Sequence, residues 1–296
     1  MRGHPHVPRT MSGPSPSIGV LIIHGMGDQP ENFAANFIAE LRRRLGGDGG
    51  RVACEPCYWA DVLQHHQNQI WQRIKRSGLI SWDDSRRWML SSFGDPPAYL
   101  SGFFKTGHQA YQLIHERVRL SLERLEHRFD EPSDIPLVVL AHSLGSVILS
   151  NYIWDEQKRS TVGTSAFQRT ETITTFVTYG SNIPLFLPPV RPVECIRFPW
   201  PSLAPALRPY ARWLNVYAPA DLLGYPLGCL WDADRGTVID DVALPVGPWP
   251  LSRTPLSHTK YETDGAFLEM VVGELRRLMR RPKGFDLSDA PARGSA

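Results

Sequence analysis

Ser143 stands in the run Leu137-Val138-Val139-Leu140-Ala141-His142-Ser143-Leu144-Gly145-Ser146-Val147-Ile148. An apolar, β-branched stretch ends at Ala141, and an apolar-periodic helix starts near Leu144. Between them lies Ala-His-Ser-Leu-Gly, a variant of the G-x-S-x-G pattern in which a serine occupies a sharp strand-to-helix turn. Small residues flank such a serine because bulky neighbours would clash in so tight a turn. The pattern predicts a serine oxygen exposed at the start of a helix, where terminal N–H groups favour developing negative charge. That is the chemistry of an activated nucleophile. The ordinary alternative at this junction is a serine that merely caps the helix.

A serine nucleophile needs a base, and the base needs an acid to orient it. On a strand–turn–helix nucleophile the chain order is serine, acid, histidine. Of ten histidines only His258 follows Ser143, in the polar stretch Leu256-Ser257-His258-Thr259-Lys260-Tyr261. Among the intervening acids, Asp155 and Glu156 fall on the helix after the serine and point away from it. Asp221 directly follows a predicted strand, in Asn215-Val216-Tyr217-Ala218-Pro219-Ala220-Asp221-Leu222-Leu223-Gly224, and is preferred; Asp240 and Asp241 come next. A second Gly-rich turn, His24-Gly25-Met26-Gly27-Asp28-Gln29, follows the apolar run Ile18–Ile23. Its glycines let the backbone approach a carbonyl and aim N–H groups at it, so the N–H of Met26 is paired with that of Leu144 as oxyanion donors. His24, Gly25, Gly27 and His142 are expected to line the substrate. A phosphate cradle is the rival reading of this turn, but neither G-x-G-x-x-G nor the Walker pattern is present.

These groups need a scaffold. Short apolar runs at Ile18–Ile23, Val52–Trp59, Leu137–Ala141, Ile173–Thr178 and Trp213–Ala218, with a weaker one over Thr237–Leu244, alternate with helical patterns. The alternation predicts an α/β fold with a mostly parallel central sheet covered by helices on both faces. Tyr111, Ile114, Val118, Leu122, Leu125 and Phe129 recur at steps of three and four, one apolar stripe of a helix. Phe267, Met270, Val271, Leu275 and Met279 mark a second helix over Thr263–Arg281. Residues 18–281 are read as one domain, with Pro/Gly/Ser/Ala-rich tails at 1–17 and 282–296 expected to be disordered. Residues 61–101, rich in Trp and Leu with poor periodicity, form a helical insertion before the nucleophile strand. They could serve as a cap or lid over an acyl pocket, or as aromatic helices filling a core. The Pro-rich stretch Ile183–Pro209 reads as a long loop at the same end of the sheet.

Composition narrows the function classes. With 32 Lys and Arg against 30 Asp and Glu in 296 residues, the chain lacks the basic excess of a nucleic-acid binder. The clusters Arg42–Arg44 and Arg276, Arg277, Arg280, Arg281 read as solvated helix ends. No apolar run approaches the roughly 18 residues of a membrane span, and no secretory signal opens the sequence. A cytoplasmic location is expected. Cys54 and Cys57 form a C-x-x-C within a predicted strand, at a spacing that sends their side chains to opposite faces. With Cys195 and Cys229 isolated, no metal site is expected.

Taken together, His-Gly-Met-Gly-Asp-Gln, Ala-His-Ser-Leu-Gly, the aspartate after Asn-Val-Tyr-Ala-Pro-Ala, and Ser-His-Thr-Lys-Tyr resemble the lipase-like α/β-hydrolase superfamily over roughly residues 18–281. The likeness is to bacterial hydrolases with an HGxGxQ start and a SHTxY-type histidine loop. It implies an α/β-hydrolase fold, a Ser143–His258–Asp221 triad, oxyanion donors at Met26 and Leu144, no cofactor, and hydrolysis of a carboxylic ester through an acyl-enzyme. Ala220-Asp221-Leu222-Leu223 fits the family's acid loop only loosely. An acyltransferase or thioesterase would use the same triad, a peptidase is allowed by the fold without support here, and a non-catalytic binding protein is a further alternative. The apolar residues of 61–101 point to a small-molecule acyl ester of lipidic or aromatic character. Oligomeric state is not encoded in any of these features.

Overall fold

The computed structural model describes residues 15–76, 94–95, 99, 108–159, 164–187, 194–230 and 236–281. Six strands form one all-parallel sheet: β1 (Ile18–Ile23), β2 (Val52–Cys57), β3 (Leu137–His142), β4 (Ile173–Tyr179), β5 (Arg212–Tyr217) and β6 (Ile239–Ala243). Their order across the sheet is β2-β1-β3-β4-β5-β6. Every neighbouring pair is parallel. The described helices are α1 (Ala35–Leu45), α2 (Asp61–Arg76), α3 (His108–Glu126), α4 (Leu144–Lys158) and α5 (Gly265–Met279). The protein is thus of the α/β class.

Strand alternation divides the core into two. Leu21, Ile23, Leu137, Val139 and Ala141 face Ile114, Val118, Leu122 and Leu125 of α3 and the apolar side of α4. Val20, Ile22, Val138 and Leu140 face Phe37 and Leu41 of α1 and Phe267, Val271 and Leu275 of α5. The inner strands β1, β3 and β4 are buried on both sides, which is why they read as largely apolar runs rather than alternating ones, whereas the edge strand β6 is partly exposed. Cys54 and Cys57 fall in opposite cores, as their spacing requires. Pro56 sits in β2, an edge strand, where a residue without an N–H removes no ladder bond on the open side.

The helix expected over Thr263–Arg281 is α5. Asp264 starts it, accepting from the N–H groups of Ala266 and Phe267. Strand ends differ from the sequence expectation by a residue or two. The larger differences are at β2, which stops at Cys57 and leaves Trp59 outside the sheet, and at β6, which runs from Ile239 to Ala243 rather than over Thr237–Leu244. Phe129 falls beyond the end of α3. Residues 1–14 and 282–296, given above to the tails, and most of 77–101 within the expected cap, lie outside the described residues. The part of the cap segment that is described begins as helix α2. Among the described residues no helix is long and apolar enough to cross a membrane.

Strand order governs where a site can form. The chain steps from β1 outward to β2, then crosses back over β1 to β3 and continues the other way. Loops leaving the carboxyl ends of β1 and β3 therefore diverge to opposite faces and leave a crevice between them. Because all strands are parallel, the turns after β1, β3, β4 and β5 gather at one end. They carry Gly25–Gln29, Ser143, Gly180–Asn182 and Asp221.

Candidate active site

Ser143 joins β3 directly to α4 with φ 49° and ψ −123°, a backbone conformation that L-residues avoid. Such a residue costs about 1–3 kcal/mol and persists only where its surroundings over-determine it. Here its N–H donates to Tyr179 O at 3.0 Å, and its carbonyl accepts from Ser146 N at 2.9 Å and Ser146 Oγ at 2.6 Å. Ser146 is itself tied to Ser181 Oγ at 2.8 Å. Gly145 is needed by close approach: a Cβ there would lie 2.6 Å from His24 O.

Although Ser143 occupies the N-cap position of α4, its side chain accepts no helix N–H. It lies instead 2.9 Å from Nε2 of His258. Nδ1 of His258 is 2.8 Å from Asp221 Oδ2 and 3.0 Å from Oδ1. A carboxylate can only accept, so Nδ1 carries the proton and the unprotonated Nε2 accepts from the serine hydroxyl. The structure thus brings Ser143, His258 and Asp221 into one hydrogen-bonded chain.

Asp221 is buried, with a fully covered side chain. Burial opposes its ionisation. The hydrogen bond and charge of His258, the Leu223 N–H at 2.9 Å and the Tyr261 hydroxyl at 2.9 Å together outweigh burial and hold the carboxyl below its usual range. Tyr261, quoted in the histidine stretch but given no role from sequence, also accepts from Ala218 N at 2.8 Å, which ties the end of β5 to the acid. The four other acids named from the sequence are engaged elsewhere. Asp155 accepts from Tyr111, Glu156 pairs with Arg159, and Asp240 pairs with Arg212. Asp241 accepts from Asn215, Leu227 N and Gly228 N.

The turn after β1 lies against the serine. A Cβ on Gly25 would stand 2.8 Å from Ser143 Cβ, so only glycine fits there. Among the described residues no acceptor takes the N–H of Met26 or of Leu144. The Gly25 carbonyl accepts from His24 Nδ1 at 2.7 Å. This pins the peptide plane whose opposite end is the Met26 N–H.

Two expectations change. Ser143 is fully buried rather than exposed, because the Gly25 turn and His258 close over it. The His24 ring turns inward instead of lining a substrate. It stacks on Trp59 with centroids 4.7 Å apart, its Nε2 accepts from Trp59 N at 3.3 Å, and burial lowers its pKa to about 4. The His142 ring is partly exposed and stacks on Tyr179, and its Nε2 donates to the His258 carbonyl at 3.0 Å. Burial and the neighbouring His258 lower the His142 pKa to about 3, so it is neutral at pH 7. Gly27, the remaining expected substrate-lining residue, gives its N–H to Asp95. Asp95 carried no signal in the sequence, since it falls in a segment without clear periodicity.

No protein-family model matches the chain, and no curated protein matches it. The chemical reading of these residues therefore stands on their geometry.

Proposed function

We propose that this protein is a serine hydrolase of α/β-hydrolase fold, cleaving a small-molecule carboxylic ester through an acyl-enzyme on Ser143. The observation that carries the reading is the behaviour of that serine. It sits at a helix N-cap on strained backbone, yet its hydroxyl forgoes the cap bond for His258 Nε2, whose other nitrogen is held by a buried carboxylate. A serine with a purely structural role would cap the helix.

In the proposed reaction His258 takes the Ser143 proton as Oγ attacks the ester carbonyl, and Asp221 stabilises the imidazolium that forms. The N–H groups of Met26 and Leu144 stabilise the tetrahedral oxyanion, each by roughly 3 kcal/mol. His258 then gives its proton to the departing alkoxide. Water attacks the acyl-enzyme by the same route, releasing the acid and restoring the serine.

The test is labelling with a fluorophosphonate probe and hydrolysis of p-nitrophenyl esters. The wild-type protein should take one label per chain and the Ser143→Ala variant none. Unlabelled wild-type protein, or a labelled Ser143→Ala variant, refutes the reading.

A further inference from the structure

The turn after β1 is held by groups from outside its own strand. Gly27 N–H donates to Asp95 Oδ2 at 2.7 Å, and Gln67 Nε2 donates to Asp95 Oδ1 at 2.6 Å. One helical turn earlier on α2, Gln64 Nε2 donates to Asp28 Oδ1 at 2.8 Å and to Gln29 O at 3.2 Å. Residues three apart share a helix face. One polar face of α2 therefore grips the turn, directly at Asp28 and Gln29 and through Asp95 at Gly27.

Asp95 is 3% exposed, and its described partners are two neutral donors rather than a cation. Burying a carboxylate is costly unless it is paired and hydrogen-bonded, and among the described residues hydrogen bonds alone hold it. What it does hold is one peptide plane. The Met26–Gly27 peptide is fixed by Asp95, and the preceding Gly25–Met26 peptide is fixed by the His24 ring. The Met26 N–H belongs to the Gly25–Met26 plane, and fixing the following plane as well keeps Met26 from turning, which holds that N–H in the turn that packs on Ser143 through Gly25.

We propose that Asp95 is a positioning residue for the oxyanion site: as a hydrogen-bond acceptor for Gly27 N–H, backed by Gln67, it aims the Met26 N–H at the reacting carbonyl. The inference rests on the hydrolase reading given above and extends it to a residue that touches neither substrate nor Ser143. The acceptor oxygen, rather than the charge, does the positioning. An asparagine can supply that oxygen, while Gln67 turns its amide to meet the new N–H.

The test compares Asp95→Asn and Asp95→Ala in the full chain. It uses p-nitrophenyl ester kinetics, the stoichiometry of fluorophosphonate labelling, and amide hydrogen exchange of peptides spanning residues 24–29. Misdirecting one donor without deleting it should lower kcat about 10- to 100-fold in Asp95→Ala, with KM within about twofold and every chain still labelled. Exchange in the turn should rise at least about tenfold in Asp95→Ala, while Asp95→Asn keeps near wild-type kcat and exchange. Wild-type kcat in Asp95→Ala, equal losses in both variants, or a loss matched by fewer labelled chains with unchanged exchange in the turn would each overturn the proposal. If the wild-type protein takes no label, the hydrolase reading fails on its own, and the exchange of residues 24–29 still decides whether Asp95 holds the turn.

Discussion

Adding one methyl group at Gly25 should damage the reaction far more than the fold. An ideal Cβ at this position would lie 2.8 Å from Ser143 Cβ, 3.2 Å from His142 Nδ1 and 3.4 Å from Ser143 Oγ. Carbon atoms at rest lie about 3.5–4.0 Å apart, so the turn and the serine must separate by roughly 1 Å. The serine side is the stiffer one. Its backbone is bonded to Tyr179 and Ser146, and the His142 ring beside it is stacked on Tyr179 and bonded to His258. The turn therefore withdraws and carries the Met26 N–H with it. A misplacement of about 1 Å costs on the order of 100-fold in rate, and the overpacking costs about 1–3 kcal/mol of stability. The assay is kcat on p-nitrophenyl acetate, normalised to fluorophosphonate-labelled sites, alongside urea unfolding. Gly273→Ala is the control: it lies exposed in α5 with nothing within 4 Å of the added Cβ. It should leave kcat unchanged and stabilise the protein by up to about 1 kcal/mol. A Gly25→Ala protein with wild-type kcat per labelled site would refute the close-packing argument.

Two further outcomes are expected. Burial raises the Asp95 carboxyl from 3.8 to about 6. The native state then holds a proton that the unfolded chain has lost, so Asp95 favours folding below about pH 4 and loses that contribution as pH rises through 6. Asparagine does not titrate. The stability of Asp95→Asn relative to wild type should thus grow by about 2 kcal/mol between pH 4 and pH 7. Urea midpoints at the two pH values measure this, and a gap that stays constant contradicts the burial argument. Tyr261→Phe removes a donor from Asp221 and the acceptor of the buried Ala218 N–H. It should cost about 1–3 kcal/mol of stability and raise the Asp221 pKa. Because His258 and the Leu223 N–H still hold the acid, kcat should fall less than about tenfold; a loss as large as that of Ser143→Ala would show that Tyr261 does more than steady Asp221.

What the sequence determined by itself was local. A buried parallel strand announces itself as an unbroken apolar run, and a turn too tight for side chains announces itself by small residues. The junction at Ser143, the Gly25 turn and the α5 stripe were legible for that reason. The chain order also left His258 as the one histidine after the serine. Tertiary structure decided the rest, because side chains far apart in sequence meet only through strand order and register. Asp221 reaches His258 while Asp241 turns to the β5–β6 loops, a distinction that adjacent strands impose and composition does not carry. His24 and His142 carry the same chemistry as His258, yet the fold stacks their rings on Trp59 and Tyr179, ties both nitrogens of His24 to backbone groups and ties Nε2 of His142 to the His258 carbonyl. Burial of Ser143 follows from the Gly25 turn and His258 closing over it, and the grip of Asp95 on Gly27 joins residues 68 apart in the chain. No local pattern encodes that packing, because a hydrogen bond between distant segments leaves no periodicity in either one.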